Sequence, residues 1–169
     1  NEKLKILDLG CGYGRLAKKI LRDFPESRVI GIDISKHYVD LFNQELSPRG
    51  KAIRGDIRRL PFQDSSFDTV IMVTTLMYLR DRQDQEKAAK ELFRVLKGGG
   101  RFVIIERSPS GHSILMLGGL VEKIRGPKKR EIPAVSFSPE YMQNLIEKSG
   151  GTVEAKKGIP PILTVSLYI

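Results

Sequence analysis

The chain has 169 residues, of which 40% are hydrophobic and 29% are charged, a composition typical of one globular domain that can bury a core. The longest apolar run, Ile114–Val121, is too short to span a membrane, and the single cysteine excludes an intrachain disulfide and suits a reducing cytoplasm. The net charge of +9 would suit RNA, an anionic substrate or a membrane surface, but the cations are spread along the chain, and we interpret them as a solvated basic surface.

In the first two thirds of the chain, short apolar segments alternate with amphipathic ones. Lys5–Leu9 is predicted as a strand, and Gly14–Asp23 as a helix with apolar residues at helical spacing. Such an alternation is typical of a parallel sheet with helices on both faces. The further predicted elements are a strand at Arg28–Asp33, a helix capped by Ser35, strands at Lys51–Arg54 and Thr69–Val73, a helix at Gln83–Leu96 ended by Gly98, and a strand at Arg101–Ile105.

After Glu106 the pattern becomes irregular. A helix is predicted over Ser113–Ile124, and a second helix begins at Ser138-Pro139-Glu140, where a cap, a proline and an acid follow one another. Thr152–Lys156 and Leu163–Ile169 are predicted as strands. The short turn between them permits only antiparallel pairing.

A glycine-rich turn follows the first strand, with Gly10, Gly12 and Gly14 at alternate positions. A strand that turns through glycines into a helix brings bare backbone N–H groups close to a ligand, at the positive end of the helix dipole. The spacing differs from the dinucleotide fingerprint, whose third glycine lies one place later. The turn therefore predicts a ligand site of another kind, unless it is merely a tight connection.

The segment Leu7–Arg15 resembles the first motif of class I S-adenosylmethionine-dependent methyltransferases, closest to the ubiquinone/menaquinone-biosynthesis type. Three later segments match the same family in order: Gly31–Ser35, Gly55–Asp68 and Glu91–Gly100. The resemblance implies a single domain over residues 1–169 with an α/β Rossmann-like fold. It implies a seven-stranded, mostly parallel sheet of order 3-2-1-4-5-7-6, with the last strand antiparallel and helices on both faces. The family's N-terminal lid helices are expected to be absent, disordered or supplied elsewhere.

The same resemblance implies S-adenosyl-L-methionine as the cofactor and no metal. Asp33 is expected to accept hydrogen bonds from the ribose hydroxyls, and Asp56 with the backbone of Ile57 to contact adenine. Asp8 would orient the glycine turn or the methionine amino group. The residues expected to bind the cofactor are Asp8, Gly10, Cys11, Gly12, Gly14, Asp33, Ile34, Asp56, Ile57 and Thr74.

The methyl acceptor is expected near Thr74-Thr75, after the fourth strand. The Asn/Asp-Pro-Pro-Tyr motif of enzymes that methylate amino groups of bases or glutamine is missing there, which counts against those classes. Methyl displacement from a sulfonium needs mainly alignment, so no catalytic residue is assigned. His37 is expected on the surface, His112 is a possible base, and Cys11 is interpreted as a packing residue.

The leading hypothesis is a cytoplasmic methyltransferase acting on a small molecule, such as a lipid-like quinone precursor. Ser108–Pro133 is expected to be mobile and to determine the acceptor, unless it is a packed core helix. The alternatives are an RNA or protein methyltransferase and a cofactor-binding subunit without catalysis; a nicotinamide dehydrogenase is least favoured. The RNA or protein alternative would use Arg54, Arg58, Arg59 and Lys128–Arg130.

Overall fold

The computed structural model describes residues 3–107, 135–152, 155–159 and 162–168. Strands and helices alternate through the first two thirds of the chain, as the hydrophobic pattern predicts. The elements are β1 (Lys5–Leu9), α1 (Arg15–Asp23), β2 (Arg28–Asp33), α2 (Lys36–Leu46), β3 (Gly50–Arg54), β4 (Phe67–Val73), a 3₁₀ turn (Leu76–Tyr78), α3 (Arg82–Val95), β5 (Leu96–Arg107), α4 (Pro139–Lys148), β6 (Ala155–Ile159) and β7 (Ile162–Tyr168).

The first five strands pair in parallel, in the order β3-β2-β1-β4-β5. β7 runs antiparallel to β5 and to β6, so the whole sheet has the order β3-β2-β1-β4-β5-β7-β6. An α/β Rossmann-like fold built on a parallel sheet is thereby confirmed. Because the parallel strands all end on one side, the turns after β1, β2, β3 and β4 meet at the carboxyl edge of the sheet.

Alternating residues of the parallel strands bury two cores, one on each face of the sheet. On one face, Ile6 and Val29 pack with Ala17 of α1 and Phe42 of α2. The larger core, on the opposite face, joins the strands to α3 and α4. Its fully buried side chains include Leu7, Leu9, Ile32, Phe67, Phe102, Leu92 and Met142. Residues 55–66, between β3 and β4, form turns rather than a helix.

Two predicted helix starts are confirmed, and one predicted helix end is wrong. The Ser35 and Ser138 hydroxyls accept hydrogen bonds from the backbone N–H groups of Tyr38 and Tyr141, as predicted. The prediction that Gly98 ends the third helix is wrong. Leu96 is extended and buried, so α3 ends at Val95 and Gly98 lies inside β5.

Several predictions fall outside the described residues: the Ser113–Ile124 helix, the mobility of Ser108–Pro133, and the roles of His112 and Lys128–Arg130. Within the described ranges, every helix is too short or too polar to cross a bilayer.

Candidate active site

The glycine turn, residues 10–14, lies at the carboxyl edge between β1 and α1. Gly10, Gly12 and Gly14 have φ of 72°, 53° and 88°, a region that disfavours other residues. The N–H groups of Gly10 and Cys11 both donate to the Ile32 carbonyl, at 2.8 and 3.1 Å, which ties the turn to β2. Gly14 precedes α1 at the N-cap position and provides no side-chain cap. Its first N–H groups are therefore available to a ligand.

The three glycines differ in what surrounds them. A Cβ on Gly10 would lie 2.2 Å from Thr75 Oγ1, and one on Gly14 would lie 2.6 Å from a methyl group of Leu46. A Cβ on Gly12 would meet nothing within 4 Å. Gly10 and Gly14 are thus required by packing, whereas Gly12 faces open space.

Asp33, at the end of β2, holds the glycine turn from the side. Its Oδ2 accepts the Gly12 N–H at 2.9 Å, and its Oδ1 accepts the Ser35 N–H at 2.9 Å. Asp33 therefore shares the support of the α2 start with Ser35, a role that sequence reasoning gave to Ser35 alone. Each carboxylate oxygen can accept two hydrogen bonds, so both oxygens of Asp33 keep acceptor capacity.

Asp8 lies in β1, two residues before Gly10, and is 3% exposed. Its Oδ2 is buried and has no hydrogen-bond partner among the described residues. Burial, and then repulsion from Asp33, raises the pKa of Asp8 to about 7. Buried polar atoms in native proteins nearly always have a partner, so Asp8 is a group that a ligand or a water molecule would satisfy.

The threonine turn, residues 74–77, follows β4 beside the glycine turn. Thr74 has φ of 51°, which is a genuine outlier for a β-branched residue, and its N–H donates to the Ile105 carbonyl at 2.7 Å. The Thr75 hydroxyl lies 3.0 Å from the Leu9 carbonyl and donates to it. Strained backbone of this kind persists only where the surroundings hold it, and it clusters at functional sites.

Glu106, near the end of β5, supplies that support. It is fully buried; its Oε1 accepts the N–H groups of Thr75 and Leu76 at 2.8 and 2.6 Å, and its Oε2 accepts that of Met77 at 3.2 Å. Burial raises the pKa of Glu106 to about 7, although the three N–H groups act in the opposite direction. Sequence reasoning missed this residue. The available signal was an acid at the carboxyl end of an apolar strand, as at Asp33.

The carboxylate of Asp56, the expected adenine contact, already accepts hydrogen bonds from Arg58. Arg58 Nε donates to both of its oxygens at 2.9 and 3.0 Å, the Arg58 backbone N–H donates to Oδ1, and a further guanidinium nitrogen donates to Oδ2. These bonds lower the pKa of Asp56. Arg58 also pairs with Asp84. Ile57 is buried in the core, so only its backbone is available to a ligand.

Large apolar side chains are exposed around both turns. Ile34 is 68% exposed, Tyr13 51%, Tyr78 53% and Tyr38 44%, and the rings of Tyr13 and Tyr38 lie 6.4 Å apart. Of the five large hydrophobic residues exposed in the described ranges, only Phe24 lies away from these turns. A cluster of exposed apolar groups beside convergent polar groups is typical of a ligand site.

The thiol of Cys11 is buried, and of the two histidines only His37 lies in the described residues. Cys11 is buried beside Gly31, and burial raises the pKa of its thiol far above the usual range. The interpretation of Cys11 as a packing residue fits this environment. His37 is exposed on α2, as expected, and His112 lies outside the described residues. No cluster of metal-ligating side chains occurs in the ranges that the structure describes.

Comparison with known proteins identifies the family of the chain. The family model described as a methyltransferase domain matches residues 7–104. Demethylmenaquinone methyltransferase of Thermotoga maritima is 36% identical over 105 residues, which cover 62% of this chain and 44% of that protein. A sterol 4-C-methyltransferase of Caenorhabditis elegans is 32% identical over 111 residues, which cover 63% of this chain and 32% of the relative. The matched region thus spans less than half of either curated relative.

The fold is also found among solved structures. The crystal structure of a SAM-dependent methyltransferase from Methanosarcina mazei superimposes with a TM-score of 0.81. The superposition covers 99% of this chain and 92% of that one, at 21% sequence identity. At this identity the likeness concerns the fold.

Proposed function

Because the chain belongs to the methyltransferase-domain family, we propose that it transfers a methyl group from S-adenosyl-L-methionine to a small-molecule acceptor. The observation that carries this proposal is the open surface at Gly12. There, an uncapped helix start, a carboxylate with spare acceptor capacity and the exposed side chain of Ile34 lie together. These are complementary to a ligand with hydroxyl groups and a flat apolar ring.

The adenosine part of the cofactor fits the β2 side of this surface. Asp33 would accept hydrogen bonds from the ribose hydroxyls while keeping those from Gly12 and Ser35. Ile34 would cover one face of the adenine. Asp56 is a weaker candidate for adenine than the sequence indicates, because Arg58 saturates its carboxylate; the backbone N–H of Ile57 is the better one.

The methionine part fits the β1 side. An ammonium group beside Asp8 would supply a donor for its unpaired Oδ2 and would neutralise its charge. Gly10, Cys11 and Gly14 would contribute backbone only, since packing against Thr75, Gly31 and Leu46 explains their size.

The acceptor is proposed to lie over the threonine turn, next to Thr74 and Tyr78, which are both exposed. When bound, S-adenosyl-L-methionine supplies a methyl carbon on a sulfonium leaving group. The protein then has mainly to align the acceptor and exclude water, for which a rigid turn is suited. An apolar acceptor fits the exposed tyrosines, and the names of the quinone and sterol methyltransferases among the relatives support that class.

The RNA or protein alternative is less well supported. Of the arginines it would use, Arg58 is bound to Asp56 and Asp84, and the Arg54 Nε donates to the Ile34 carbonyl. Lys128–Arg130 lie outside the described residues.

Calorimetric titration with S-adenosylhomocysteine tests the cofactor part of the proposal. Asp33→Ala should weaken binding at least tenfold, because a charge-assisted hydrogen bond contributes about 1.5–3 kcal/mol. Asp68→Ala is the matched control. Asp68 also accepts a backbone N–H, that of Lys5, but at the opposite edge of the sheet, so its loss should leave the affinity unchanged.

Equal affinities of folded Asp33→Ala and wild type would remove Asp33 from the site. The transfer itself is tested with isotopically labelled S-adenosyl-L-methionine and a cell extract, in which a new labelled small molecule should appear by mass spectrometry. Label found only in RNA or protein would overturn the small-molecule assignment.

A further inference from the structure

A cavity lies at the amino edge of the sheet, on the side away from the glycine turn. Its volume is about 560 Å³, within the range typical of small-molecule sites. It opens where β1, β2 and β3 begin. The lining residues are Lys3, Leu4, Lys5, Arg28, Val29, Ile30, Pro48, Arg49, Lys51, Ile53 and Phe62.

Three cations stand side by side on one face of this edge. Lys5 is the register partner of Arg28, and Lys51 is the partner of Ile30, two residues after Arg28. Because side chains alternate along a strand, these cations share the face of Leu7, Ile30 and Ile53, opposite α1 and α2. Like charges on neighbouring strands repel, so this arrangement is unfavourable by itself.

Acids do little to neutralise these charges. No aspartate or glutamate lines the cavity in the described part of the chain. Asp68 accepts the Lys5 backbone N–H and attracts both the Lys5 and the Lys97 ammonium groups, but its ion pair is with Lys97, and the Lys5 ammonium lies over the Phe67 ring. Arg49 is anchored by the carbonyls of Leu21 and Pro25, which leave its charge in place. The positive potential therefore converges on the cavity and attracts an anion.

The floor of the cavity is apolar. Ile30, Ile53 and Phe62 are half-buried there, on the face of the sheet that residues 55–66 cover with turns instead of a helix. A simple inorganic anion would leave this floor exposed to water. A molecule with an apolar body and an anionic head would satisfy the floor and the cations together.

We propose that this cavity binds a small amphiphilic anion, with its phosphate or carboxylate head at Arg28 and Lys51 and its apolar body on Ile53 and Phe62. The site is separate from the proposed cofactor site, because the five residues of β1 span about 17 Å between the two edges. The proposal does not depend on methyl transfer.

Calorimetry with 1-naphthyl phosphate tests the site, using the whole chain saturated with S-adenosylhomocysteine. The probe should bind with one-to-one stoichiometry. 1-Naphthol and inorganic phosphate, each carrying half of its chemistry, should both bind at least roughly tenfold more weakly. Equal binding of inorganic phosphate would overturn the proposal, as would binding of the probe only when S-adenosylhomocysteine is left out.

Charge-reversal variants locate the site. Arg28→Glu and Lys51→Glu should each weaken binding of the probe at least roughly tenfold, since each replaces an attractive charge by a repulsive one. Lys90→Glu, on the exposed side of α3, makes the same change in net charge away from the cavity and should leave binding unchanged. Circular dichroism verifies that all three variants are folded.

An equal loss in Lys90→Glu would mean that only net charge matters and would overturn the proposal. So would binding to phosphatidylglycerol vesicles without binding of 1-naphthyl phosphate, because the surface would then be a membrane contact rather than a cavity for a single molecule.

Discussion

The glycine turn and the threonine turn are both held by a carboxylate from the neighbouring strand, but at different depths. Asp33 holds the Gly12 N–H from a half-exposed position, whereas Glu106 is fully buried and holds the N–H groups of Thr75, Leu76 and Met77. A partly exposed acid keeps acceptor capacity for a ligand, and a buried one does not. The same residue chemistry therefore leaves spare acceptor capacity at one turn and gives rigidity at the other.

Removing the buried acid should have the largest effect. Glu106→Ala leaves three N–H groups without their acceptor, and each buried unsatisfied group costs about 1–3 kcal/mol. We expect the free energy of unfolding to fall by about 3 kcal/mol in chemical denaturation at pH 8. Glu106→Gln keeps one oxygen that can serve Thr75 and Leu76, so its loss should be clearly smaller.

Ile104→Val is the control for this experiment. Ile104 is buried in the same strand, and its truncation should cost about 1 kcal/mol by loss of packing alone. If Glu106→Ala is no more destabilising than Ile104→Val, the carboxylate does not hold the threonine turn.

Two glycine substitutions separate packing from binding in the glycine turn. Gly10→Ala drives a methyl group into Thr75, so we expect the free energy of unfolding to fall by about 2 kcal/mol in thermal or chemical unfolding. Gly12→Ala adds only the strain of positive φ, about 1–2 kcal/mol, because its new Cβ meets open space.

For the affinity for S-adenosylhomocysteine, the substitution that costs less stability should have a clear effect. Folded Gly12→Ala is expected to lose affinity for S-adenosylhomocysteine at least roughly tenfold, because its methyl group occupies the surface proposed for the ligand. Full affinity in Gly12→Ala would contradict the placement of the cofactor at this turn.

The stability that Asp8 contributes should depend on pH. Its pKa is about 7 in the folded chain and 3.8 ordinarily, so the folded state holds the proton more tightly. The stability that Asp8 contributes is therefore complete below about pH 4 and is lost as the pH rises through 7. Asp8→Asn removes this titration. The free energy of unfolding of Asp8→Asn minus that of wild type should therefore rise between pH 4 and pH 8, by a few kcal/mol at most.

Glu106, whose pKa is also raised to about 7, titrates in both proteins and cancels in this difference. A difference between Asp8→Asn and wild type that stays constant from pH 4 to pH 8 would show that Asp8 finds a partner that keeps it charged in the folded chain.

Features carried by local sequence were predictable. Apolar runs located the strands, and Ser35 and Ser138 identified two helix starts, because both signals act over a few residues. The role of Glu106 was not predictable in this way, since its partners lie about 30 residues earlier in the chain. The same holds for Arg58, which joins Asp56 to the distant Asp84. The end of α3 was misplaced because burial of Leu96 outweighs the preference of glycine for helix ends.

The contact between the glycine turn and the threonine turn couples the two ligands that are proposed to bind there. Thr75 touches Gly10 and donates to the Leu9 carbonyl, so neither turn can shift without displacing the other. A ligand that fixes the glycine turn therefore also fixes the floor proposed for the acceptor. By linkage, the two molecules should strengthen each other's binding by the same factor. If S-adenosyl-L-methionine binds at the glycine turn as proposed, the acceptor should therefore bind more tightly to the loaded protein than to the empty one.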